Sequence, residues 1–564
     1  MLTRLRNETF DVVVVGGGIT GVGVALDAAS RGLRTALIER DDFASGTSSK
    51  SSKMVHGGLR YLQQGDVRLV YEALRERQRL RHNAPHLVSV LPFMIPILGK
   101  PTKPGVQPDS VVPRKIARAL GSAMWMYDAT GGWRIGKLHR RLRAPAALAH
   151  LPTMPADRVL AAYLYFDAAV DDARLVLTVA RTAAARGAAV ANRCAVVDVS
   201  RGSDGRVDGV VAEADGHRFV ISARAVVNAA GVWSDDVRAL DEGRHPHSIR
   251  PAKGVHVVVP WHKVRNDIAV VIPVPKDKRS LFLVPWGPLP DGTFRHCYIG
   301  TTDTDFEGPL DDPPCTGDDL AYVLRAVNAS VDPALSGGIT LDDVTGVWAG
   351  LRPLVKAASA SEGEADAGSA RTADLSRRHH ISTSDDGLIT VTGGKLTTYR
   401  EMAEDTVDQV LRLLGRSGRS RTRRLRLLGA SRTDAVLGTT EQHLHSRHGD
   451  AATEIEALVA EQPELGAPLV PGLPYLTAEA VYAARHEMVV TLDDVFTRRT
   501  RARLFDRHAT LMAAPRVAEL LAAELGWDAE RTAAEIADFT ARCEAELAAA
   551  GVVTPAPTAE SPAP

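Results

Sequence analysis

The chain of 564 residues is too long for one compact hydrophobic core, so two or more domains are predicted. Hydrophobic residues make up 45% of the sequence and charged residues 24%, the proportions of an ordinary globular protein. Lysine plus arginine and aspartate plus glutamate both total 68, and this net charge of zero argues against a dominant nucleic-acid surface. The four cysteines have no zinc-type spacing, so we predict isolated thiols, no disulfide framework and no bound metal.

The N-terminal segment has the pattern of a nucleotide-binding unit. A β-branched run at 11–15 stops at three glycines, which is typical of a buried parallel strand that leads into a tight turn. Residues 19–31 favour a helix and 34–40 supply a second strand, which completes one βαβ unit.

No signal peptide is predicted, because the apolar run continues directly into glycines. The longest apolar run, 87–98, is too short to span a bilayer, so no transmembrane helix is predicted.

Two later segments, 226–233 and 387–407, also have the character of parallel strands that end in small residues. Between them, strands are predicted at 255–259, 269–274, 281–285 and 297–301. We therefore predict an α/β protein: an N-terminal Rossmann-like nucleotide-binding fold with an inserted, mostly β substrate-covering region.

The composition changes after the helix that begins near residue 400. An arginine-rich stretch at 416–429 predicts a linker, and its alternative role is contact with anionic phospholipid headgroups. Residues 430–550 have the pattern of a C-terminal helical domain, and the tail at 551–564 is predicted to be disordered. The small, acidic stretch at 357–370 predicts a surface loop.

The sequence Gly16-x-Gly18-x-x-Gly21 lies between the first predicted strand and helix and matches a dinucleotide-binding fingerprint. Its glycines permit a tight turn, a close approach of the backbone to pyrophosphate, and close packing of helix on strand. The helix N-terminus, with Ile19 and Thr20, offers backbone N–H groups to the phosphates.

Glu39 follows eighteen residues after Gly21, where a carboxylate accepts hydrogen bonds from ribose hydroxyls and disfavours a 2′-phosphate. Arg40 is assigned to the same part of the cofactor site. FAD and NAD both fit this pattern. FAD is favoured by the N-terminal position of the fingerprint, by a second small-residue strand end at Ala230 and Gly231, and by the lack of a second fingerprint for a nicotinamide cofactor.

A dense polar loop contains the sequence SSKMVHGGLRYL at 51–62. We expect its hydroxyls and lysine to surround the phosphates and ribityl chain, and its glycine pair to let the backbone approach the flavin ring. The cofactor-binding residues predicted here are Thr47, Ser48, Ser49, Ser51, Ser52, Lys53, His56, Gly57 and Gly58. A later glycine turn adds Gly394, Lys395, Leu396 and Thr397.

Seven motifs, in order and spacing, resemble FAD-dependent glycerol-3-phosphate dehydrogenase, the quinone-linked enzyme family of aerobic glycerol metabolism. They are GGGITG, GTSSKSSKMVHGGLRYL, VDDARLVL, KGVHVVVP, IGTTDTD, GVWAGLRPL and TGGKLTTYREMAE. The resemblance covers roughly residues 8–410 and extends more loosely into the C-terminal region.

The resemblance implies oxidation of sn-glycerol 3-phosphate to dihydroxyacetone phosphate. Hydride would pass from C2 to N5 of a non-covalent FAD, and the electrons would pass on to a membrane quinone. It also implies a cytoplasmic protein held peripherally at the inner face of the membrane, and the sequence allows a homodimer. We expect an oxidoreductase domain at 1–415 with FAD-binding segments at about 8–80, 170–235 and 385–412 and a substrate-covering region at about 85–165 and 245–380.

The family's pocket arginines and lysine match residues of this sequence. Arg60 and Arg352 can each present a planar fork of donors to phosphate oxygens, and Tyr61 adds a hydroxyl. Lys395 serves either the substrate phosphate or the electron-rich edge of the flavin. Arg352 is also a candidate for stabilising the alkoxide that develops during oxidation.

Histidine suits the proton transfer, because its ordinary pKa of about 6.5 lies near the working pH. We favour His256, on a predicted strand of the substrate-covering region, as the base. His56 is expected against the isoalloxazine ring and is the second catalytic candidate. Thr302 and Asp303, at a predicted strand end, either orient the substrate or form a turn.

Three other functions stay open. A glycerol-3-phosphate oxidase would share the fold and substrate site and would pass the electrons to oxygen, giving hydrogen peroxide. An amino-acid or amine oxidase on the same fold would need an arginine for a carboxylate, although two arginines and a lysine suit a phosphate better. A redox-silent nucleotide-binding regulatory protein would hold the cofactor without turnover.

Overall fold

The structure is a computed structural model that describes residues 1–63, 66–99, 114–277, 279–356, 379–431 and 439–552. The predicted surface loop at 357–370 and the predicted disordered tail beyond residue 552 lie outside the described residues.

The described part of the chain contains strands and helices throughout its length. The strands are β1 (Val12–Val15), β2 (Thr35–Ile38), β3 (Met54–Val55), β4 (Val88–Leu98), β5 (Arg140–Arg143), β6 (Val159–Val170), β7 (Ala189–Ala191), β8 (Ala195–Arg201), β9 (Val207–Ala214), β10 (His217–Ser222), β11 (Val226–Asn228), β12 (Ile249–Pro260), β13 (Ala269–Pro273), β14 (Ser280–Pro288), β15 (Phe294–Gly300), β16 (Thr304–Asp305), β17 (Gly346–Val355), β18 (His379–Thr383) and β19 (Ile389–Gly393). The α-helices are α1 (Leu2–Asn7), α2 (Ile19–Ser30), α3 (Leu59–Gln63), α4 (Val67–Asn83), α5 (Arg114–Ala129), α6 (Ala144–His150), α7 (Asp172–Ala185), α8 (Ser234–Glu242), α9 (Gly317–Asn328), α10 (Pro333–Ser336), α11 (Tyr399–Leu413), α12 (Thr440–His448), α13 (Ala452–Glu461), α14 (Thr477–His486), α15 (Ala502–Phe505), α16 (Arg507–Leu525) and α17 (Ala529–Ala550).

The nucleotide-binding core is a six-stranded sheet in the order β18-β19-β11-β1-β2-β7, and β1 pairs in parallel with both β2 and β11. Val12 and Val14 of β1 pack with helices α2, α7 and α11, whereas Val13 and Val15 pack with the sheet β10-β9-β8. Because both faces of β1 are covered, its sequence is a continuous apolar run. The predicted unit of strand, glycine turn, helix and strand is confirmed.

The inserted region forms a ten-stranded sheet. Its main path is β16-β12-β15-β14-β13-β4-β6-β3, with β17 paired to β12 and β5 paired to β6. In β12, Val255 and Val257 pack in the core beneath α9, whereas His256 and Gly254 face a cavity on the opposite side. This alternation follows from the two-residue period of a strand. The predicted α/β fold with a mostly β insertion is confirmed.

The C-terminal helices form their own core. Its apolar residues come mainly from α14, α16 and α17 and from the connecting segment before α15. The arginine-rich segment, predicted to be an exposed linker, is partly packed, because Leu425 and Leu427 are buried in the core around α2 and α11. Arg423 in this segment pairs with Glu404 at 2.6 Å. Among the described residues, no helix is both long enough and apolar enough to cross a membrane.

A buried ion pair joins α4 to β6 beside the cavity. Arg77 and Asp167 are both essentially inaccessible to solvent and bind each other, and Asp167 also accepts hydrogen bonds from Tyr127 Oη and from the backbone N–H of Gly57.

We predict that Asp167→Asn lowers the free energy of unfolding by about 3–5 kcal/mol, because it leaves the Arg77 guanidinium buried without a counter-charge. Chemical denaturation monitored by circular dichroism measures this loss. Glu8→Gln, at the exposed pair with Arg4, is the control and should leave the unfolding midpoint unchanged. Equal effects of the two substitutions would contradict the prediction.

Candidate active site

A cavity of about 1090 Å³ extends from the carboxyl ends of β1 and β2 to the strands β12 and β17. Its first end is lined by the glycine turn after β1 and by Glu39, Arg40 and Trp233, and its second end by His56, Tyr61, His256 and Arg352, among others. The carboxyl edge of a parallel sheet is where open α/β folds bind their ligands. The sequence fingerprint and the candidate chemical groups therefore line the same cavity.

The glycine turn leaves no space for side chains at two of its three fingerprint positions. Gly16 has φ +111°, and a Cβ there would lie 2.7 Å from the Ala229 carbonyl oxygen. A Cβ at Gly21 would lie 1.8 Å from the Gly16 carbonyl oxygen, so only glycine lets α2 begin this close to β1. Gly18 lines the cavity and begins α2 as its N-cap residue.

Ile19 and Thr20 line the cavity in the first turn of α2. The backbone N–H of Ile19 donates to Ser48 Oγ at 3.0 Å, which ties the polar loop to the helix N-terminus. The strand end at Ala230 and Gly231 lies against the same turn and also lines the cavity. These positions are arranged as a dinucleotide phosphate site requires.

Glu39 lies at the end of β2 and holds the glycine turn closed. Its Oε2 accepts from the backbone N–H of Gly17 at 2.6 Å and its Oε1 from that of Asp41 at 2.9 Å. Burial raises the pKa of Glu39 above its ordinary value. Arg40 lines the cavity beside it, with its guanidinium 4.8 Å from the centre of the Trp233 ring.

The polar loop divides into residues that face the cavity and residues that face the protein interior. The predicted positions that line the cavity are Thr47, Ser48, Ser51, Ser52, His56 and Gly58. Ser49, Lys53 and Gly57 do not line the cavity, so a cofactor contact for these three stays a prediction. Ser49 is buried, Gly57 packs against Leu74 and Tyr127, and the Lys53 Nζ binds Asp172 Oδ1 at 3.0 Å in the interior.

Lys50, which sequence reasoning missed, is the lysine of this loop that lines the cavity. It pairs with Asp312 at 2.9 Å. Lys53 has φ +55°, and its side chain lies in the interior, where its Nζ is bound by Asp172. No sequence pattern distinguishes the two lysines.

The second glycine turn forms the opposite wall of the cavity, with Gly394, Lys395, Leu396 and Thr397 in contact with it. Thr397 Oγ1 accepts from the backbone N–H of His56 at 3.2 Å, so the two walls are directly joined. The Lys395 Nζ lies 3.6 Å from the centre of the Tyr61 ring. Arg60 lies in α3, but its side chain is outside the described part of the chain, so its phosphate role stays a prediction.

Arg352 on β17 is fixed by groups at the end of β15. Its guanidinium binds Asp303 Oδ1 at 3.0 Å, Thr301 Oγ1 at 3.1 Å and the Thr302 carbonyl oxygen at 3.2 Å. Gly254, which sequence reasoning also missed, makes this arrangement possible, since a Cβ there would lie 2.5 Å from Arg352 Nη2. Gly254 could have been identified only from the pairing of β12 with β17, and a single sequence does not reveal that pairing.

His256 is buried at the cavity wall and stacks on Trp348, with ring centres 4.7 Å apart and an angle of 11° between the planes. Its Nε2 is hydrogen-bonded to Ser52 Oγ at 2.9 Å. Burial, reinforced by the positive charges of Lys53 and Arg352, lowers its pKa well below 6.5. The expectation of a histidine pKa near the working pH is therefore wrong for His256 in this structure.

These features define a dinucleotide-binding oxidoreductase site, and the residues present fit FAD. The cavity is long, its first end has a glycine turn that excludes any Cβ at Gly21, and its second end has cationic and imidazole groups. Residues 11–400 match the family described as "FAD dependent oxidoreductase", to which the chain belongs, so the FAD prediction is confirmed. Residues 409–532 match "C-terminal domain of alpha-glycerophosphate oxidase".

Named relatives define the family more closely. The chain is 39% identical over 568 residues to glycerol-3-phosphate dehydrogenase 2 of Mycobacterium tuberculosis, covering 96% of this chain and 90% of the relative. It is 40% identical over 563 residues to glycerol-3-phosphate dehydrogenase of Mycobacterium leprae, with the same coverage. The structure of glycerol-3-phosphate dehydrogenase from Bacillus halodurans complexed with FAD matches with a TM-score of 0.73 and 30% identity, covering 99% of this chain and 98% of that one. The chain therefore belongs to the FAD-dependent glycerol-3-phosphate dehydrogenase family, as its motifs predicted.

We predict that Gly21→Ala yields protein with less than about a tenth of the flavin bound by the unmodified chain, because the new methyl group would collide with backbone that cannot move independently of β1. The ratio of flavin absorbance to protein absorbance after purification measures the effect. Gly418→Ala is the control, since its Cβ would approach nothing closer than 3.8 Å. Full flavin occupancy in Gly21→Ala would refute the assignment of this turn.

Proposed function

We propose that this protein oxidises sn-glycerol 3-phosphate to dihydroxyacetone phosphate and passes the electrons to a membrane quinone. One observation carries the proposal: Arg352, Lys395 and His256 line the end of a cavity whose other end is a dinucleotide-binding turn. The names of the relatives support the same substrate. FAD, when bound, supplies the acceptor for the hydride that leaves C2 of the substrate.

Arg352 and Lys395 bind the substrate phosphate in this proposal. Asp303 and Thr301 hold the Arg352 guanidinium in one orientation, so little side-chain freedom is lost when a phosphate binds. A guanidinium is always positively charged, which favours a dianionic phosphate over a neutral alcohol. Tyr61 lies beside Lys395 and limits the directions its ammonium can take. Arg60 is proposed to add a second guanidinium.

His256 accepts the proton of the C2 hydroxyl in this proposal. It is neutral over the working pH range because its pKa is lowered, so a ring nitrogen lone pair is available to accept a proton. The hydrogen bond to Ser52 and the stacking on Trp348 fix the plane of its ring. His56 lies on the opposite wall, joined to Thr397, and orients the reacting end of the substrate.

The first test is anaerobic mixing of the purified flavoprotein with sn-glycerol 3-phosphate. We expect bleaching of the oxidised-flavin absorbance by this substrate and none by glycerol, which lacks the phosphate. Amino acids serve as the second control, because bleaching by an amino acid alone would establish an amine-oxidising enzyme instead. A fully flavinylated protein that no substrate bleaches would refute the proposed activity.

Arg352→Met should raise the substrate concentration needed for half-maximal bleaching by about a hundredfold, because a charge-assisted contact to the phosphate is lost. Stopped-flow reduction of the flavin over a range of substrate concentrations measures this. Arg250→Met, on the adjacent strand where Arg250 pairs with exposed Asp305, is the control and should leave the half-saturating concentration unchanged. An unchanged concentration in Arg352→Met would contradict the phosphate role.

The electron acceptor distinguishes this proposal from an oxidase. The match of residues 409–532 to the C-terminal domain of an oxidase keeps oxygen as the second candidate. Readmission of air to the bleached protein separates the two, because rapid recovery of colour with hydrogen peroxide indicates an oxidase. Slow recovery that a soluble quinone analogue accelerates supports the dehydrogenase.

We also propose peripheral binding to the inner face of the cell membrane through an exposed surface beside α5. This aromatic–basic surface is defined by exposed residues of α4, α5 and the segment after α5, namely Tyr71, Trp125, Met126, Trp133, Leu138, Arg140, Arg141 and Arg143. Arg134 lies over the rings of both Tyr71 and Trp133, which places these two exposed rings together. Trp125 is 65% exposed and Trp133 is 53% exposed, which is unusual for large aromatic side chains away from a partner. Tryptophan with adjacent arginine is the composition of a surface that binds at the membrane interface.

The position of the aromatic–basic surface supports quinone as the acceptor. Leu120 and Ala123 of α5 line the cofactor cavity, and Trp125 and Met126 lie on the exposed part of the same helix. A single helix therefore separates the proposed lipid contact from the cavity. The alternative contact through the arginines of 416–426 stays a prediction, although Arg423 there is already paired with Glu404.

We predict that replacing Trp125 and Trp133 together with serine reduces co-sedimentation with anionic phospholipid vesicles severalfold, because the interfacial aromatic anchors are lost. Met512→Ser is the control, since Met512 is 72% exposed on the C-terminal helices. Loss of binding only on replacing Arg423 and Arg424 would support the arginine-rich segment instead. Sedimentation that no substitution or lipid composition changes would refute peripheral binding.

A further inference from the structure

The motif VDDARLVL, at 170–177, has no role in the site described so far, yet its second aspartate joins three parts of the molecule. Asp172 is completely buried at the start of α7. Its Oδ2 accepts from the backbone N–H of Ser51 at 3.0 Å and from Ser51 Oγ at 2.7 Å. Its Oδ1 accepts from the Lys53 Nζ at 3.0 Å. One carboxylate therefore binds the polar loop at two points, on either side of Ser52.

Ser52 is the residue that contacts the candidate base. Its Oγ lies 2.9 Å from His256 Nε2, and its carbonyl oxygen accepts from Tyr298 Oη at 3.0 Å. Because the neighbours on both sides of Ser52 bind Asp172, the position of the Ser52 hydroxyl depends on where that carboxylate is held.

The carboxylate is held from the C-terminal helical region. Arg501, only 2% exposed, donates from Nη2 to Asp172 Oδ1 and to Asp171 Oδ1, the latter at 2.7 Å. Arg501 is fixed in turn, since its Nη1 donates to the Thr497 carbonyl oxygen at 2.9 Å and its backbone N–H to Tyr475 Oη at 3.0 Å. A planar guanidinium with this many fixed partners has one orientation available.

The same C-terminal segment reaches the other end of the cavity. Arg498 and Arg499 both bind the buried carboxylate of Asp42, three residues after Glu39. Arg498 also pairs with Asp493 at 2.8 Å, within the C-terminal region. Three arginines within four successive positions therefore bind carboxylates near both ends of the cofactor cavity. Simple attachment of two domains would not require contacts at these two positions.

We propose that Arg501 is a positioning residue for the oxidation. It fixes Asp172, which fixes Ser51 and Lys53 and so places the Ser52 hydroxyl against His256. The C-terminal helical region thereby completes the active site without contacting the substrate. This inference rests on the proposed role of His256 and gives the C-terminal region a role in the reaction.

The electrostatics of Lys53 agree with the geometry. Burial and the positive charge of Arg501 lower the pKa of Lys53 to about 8, whereas Asp172 and Asp171 oppose that shift. The two cations share the carboxylate and repel each other, so removal of Arg501 leaves Lys53 as the only cation that the structure shows bound to Asp172.

The test compares two arginines of one segment, the buried Arg501 and the partly buried Arg503, in the flavin-loaded enzyme. Arg501→Gln should slow anaerobic flavin reduction by sn-glycerol 3-phosphate at saturating substrate about tenfold to a hundredfold, because the base is misplaced. The half-saturating concentration should change little, since Arg352 and Lys395 are untouched. Arg501→Lys, which keeps the charge, should recover part of the rate.

Arg503→Gln is the matched control. Arg503 pairs with Asp493 at 3.0 Å and with Glu546 at 2.8 Å, both within the C-terminal region. Its loss should lower the thermal unfolding midpoint as Arg501→Gln does, while the rate of flavin reduction stays within about twofold of the unmodified rate. Flavin content and the visible circular dichroism of the bound flavin are recorded for both variants.

Two results would overturn the inference. One is an unchanged rate in Arg501→Gln, and the other is a loss of rate that follows the unfolding midpoint equally in both arginine variants.

If Arg501→Gln does not fold, Ser51→Ala replaces it, because it removes the loop's side-chain bond to Asp172 and leaves the buried charges in place. An unchanged rate in Ser51→Ala would then overturn the inference. If the unmodified enzyme is not bleached by the substrate at all, the proposed function fails, a result distinct from any difference between variants.

Discussion

Burial of positive charge beside a ligand cavity is the constraint on which this structure depends. A site for an anionic cofactor and an anionic substrate needs cations, but an isolated buried cation costs several kcal/mol in lost hydration. The chain meets this constraint by giving the cations near the cavity carboxylate partners: Asp303 for Arg352, Asp172 for Lys53 and Asp167 for Arg77. Although the net charge of the whole chain is zero, the positive and negative side chains near the cavity are therefore arranged in specific pairs.

These carboxylates also fix the positions of the groups that they bind. A carboxylate between two hydrogen-bonded groups fixes both of them, and Asp167 and Asp172 each bind the polar loop while binding a cation from another element. The loop that lines the cavity is thus held by α7 and β6 in addition to its own short-range hydrogen bonds. This explains how a loop with φ +55° at Lys53 and φ +74° at Gly58 keeps one conformation.

The sequence was sufficient for features that depend on neighbouring residues. The glycine turn, the helix after it and Glu39 lie within about thirty residues and follow from strand period and fingerprint spacing. The strand β12 was predicted from its valines, and His256 was placed on it correctly. These features determine the fold class and the cofactor.

Features that depend on distant partners could not be predicted. Which lysine of the polar loop faces the cavity depends on Asp172, which is 119 residues beyond Lys53. Arg501 is 329 residues beyond Asp172, and nothing near it in the sequence indicates an active-site partner. The pKa of His256 was misjudged for the same reason, because its burial and the approach of Lys53 and Arg352 arise only in the folded chain.

The depressed pKa of His256 has a functional consequence when the charge of the substrate is included. Without substrate, burial and, to a smaller extent, the charges of Lys53 and Arg352 lower the pKa of His256 and make it a weak proton acceptor. A phosphate dianion bound to Arg352 cancels part of the positive field that lowers this pKa. In the proposed function, the proton affinity of His256 would therefore rise when sn-glycerol 3-phosphate binds, whereas glycerol, which carries no charge, would leave it unchanged. If Arg352 binds the phosphate as proposed, the same residue couples recognition of the substrate to the strength of the base.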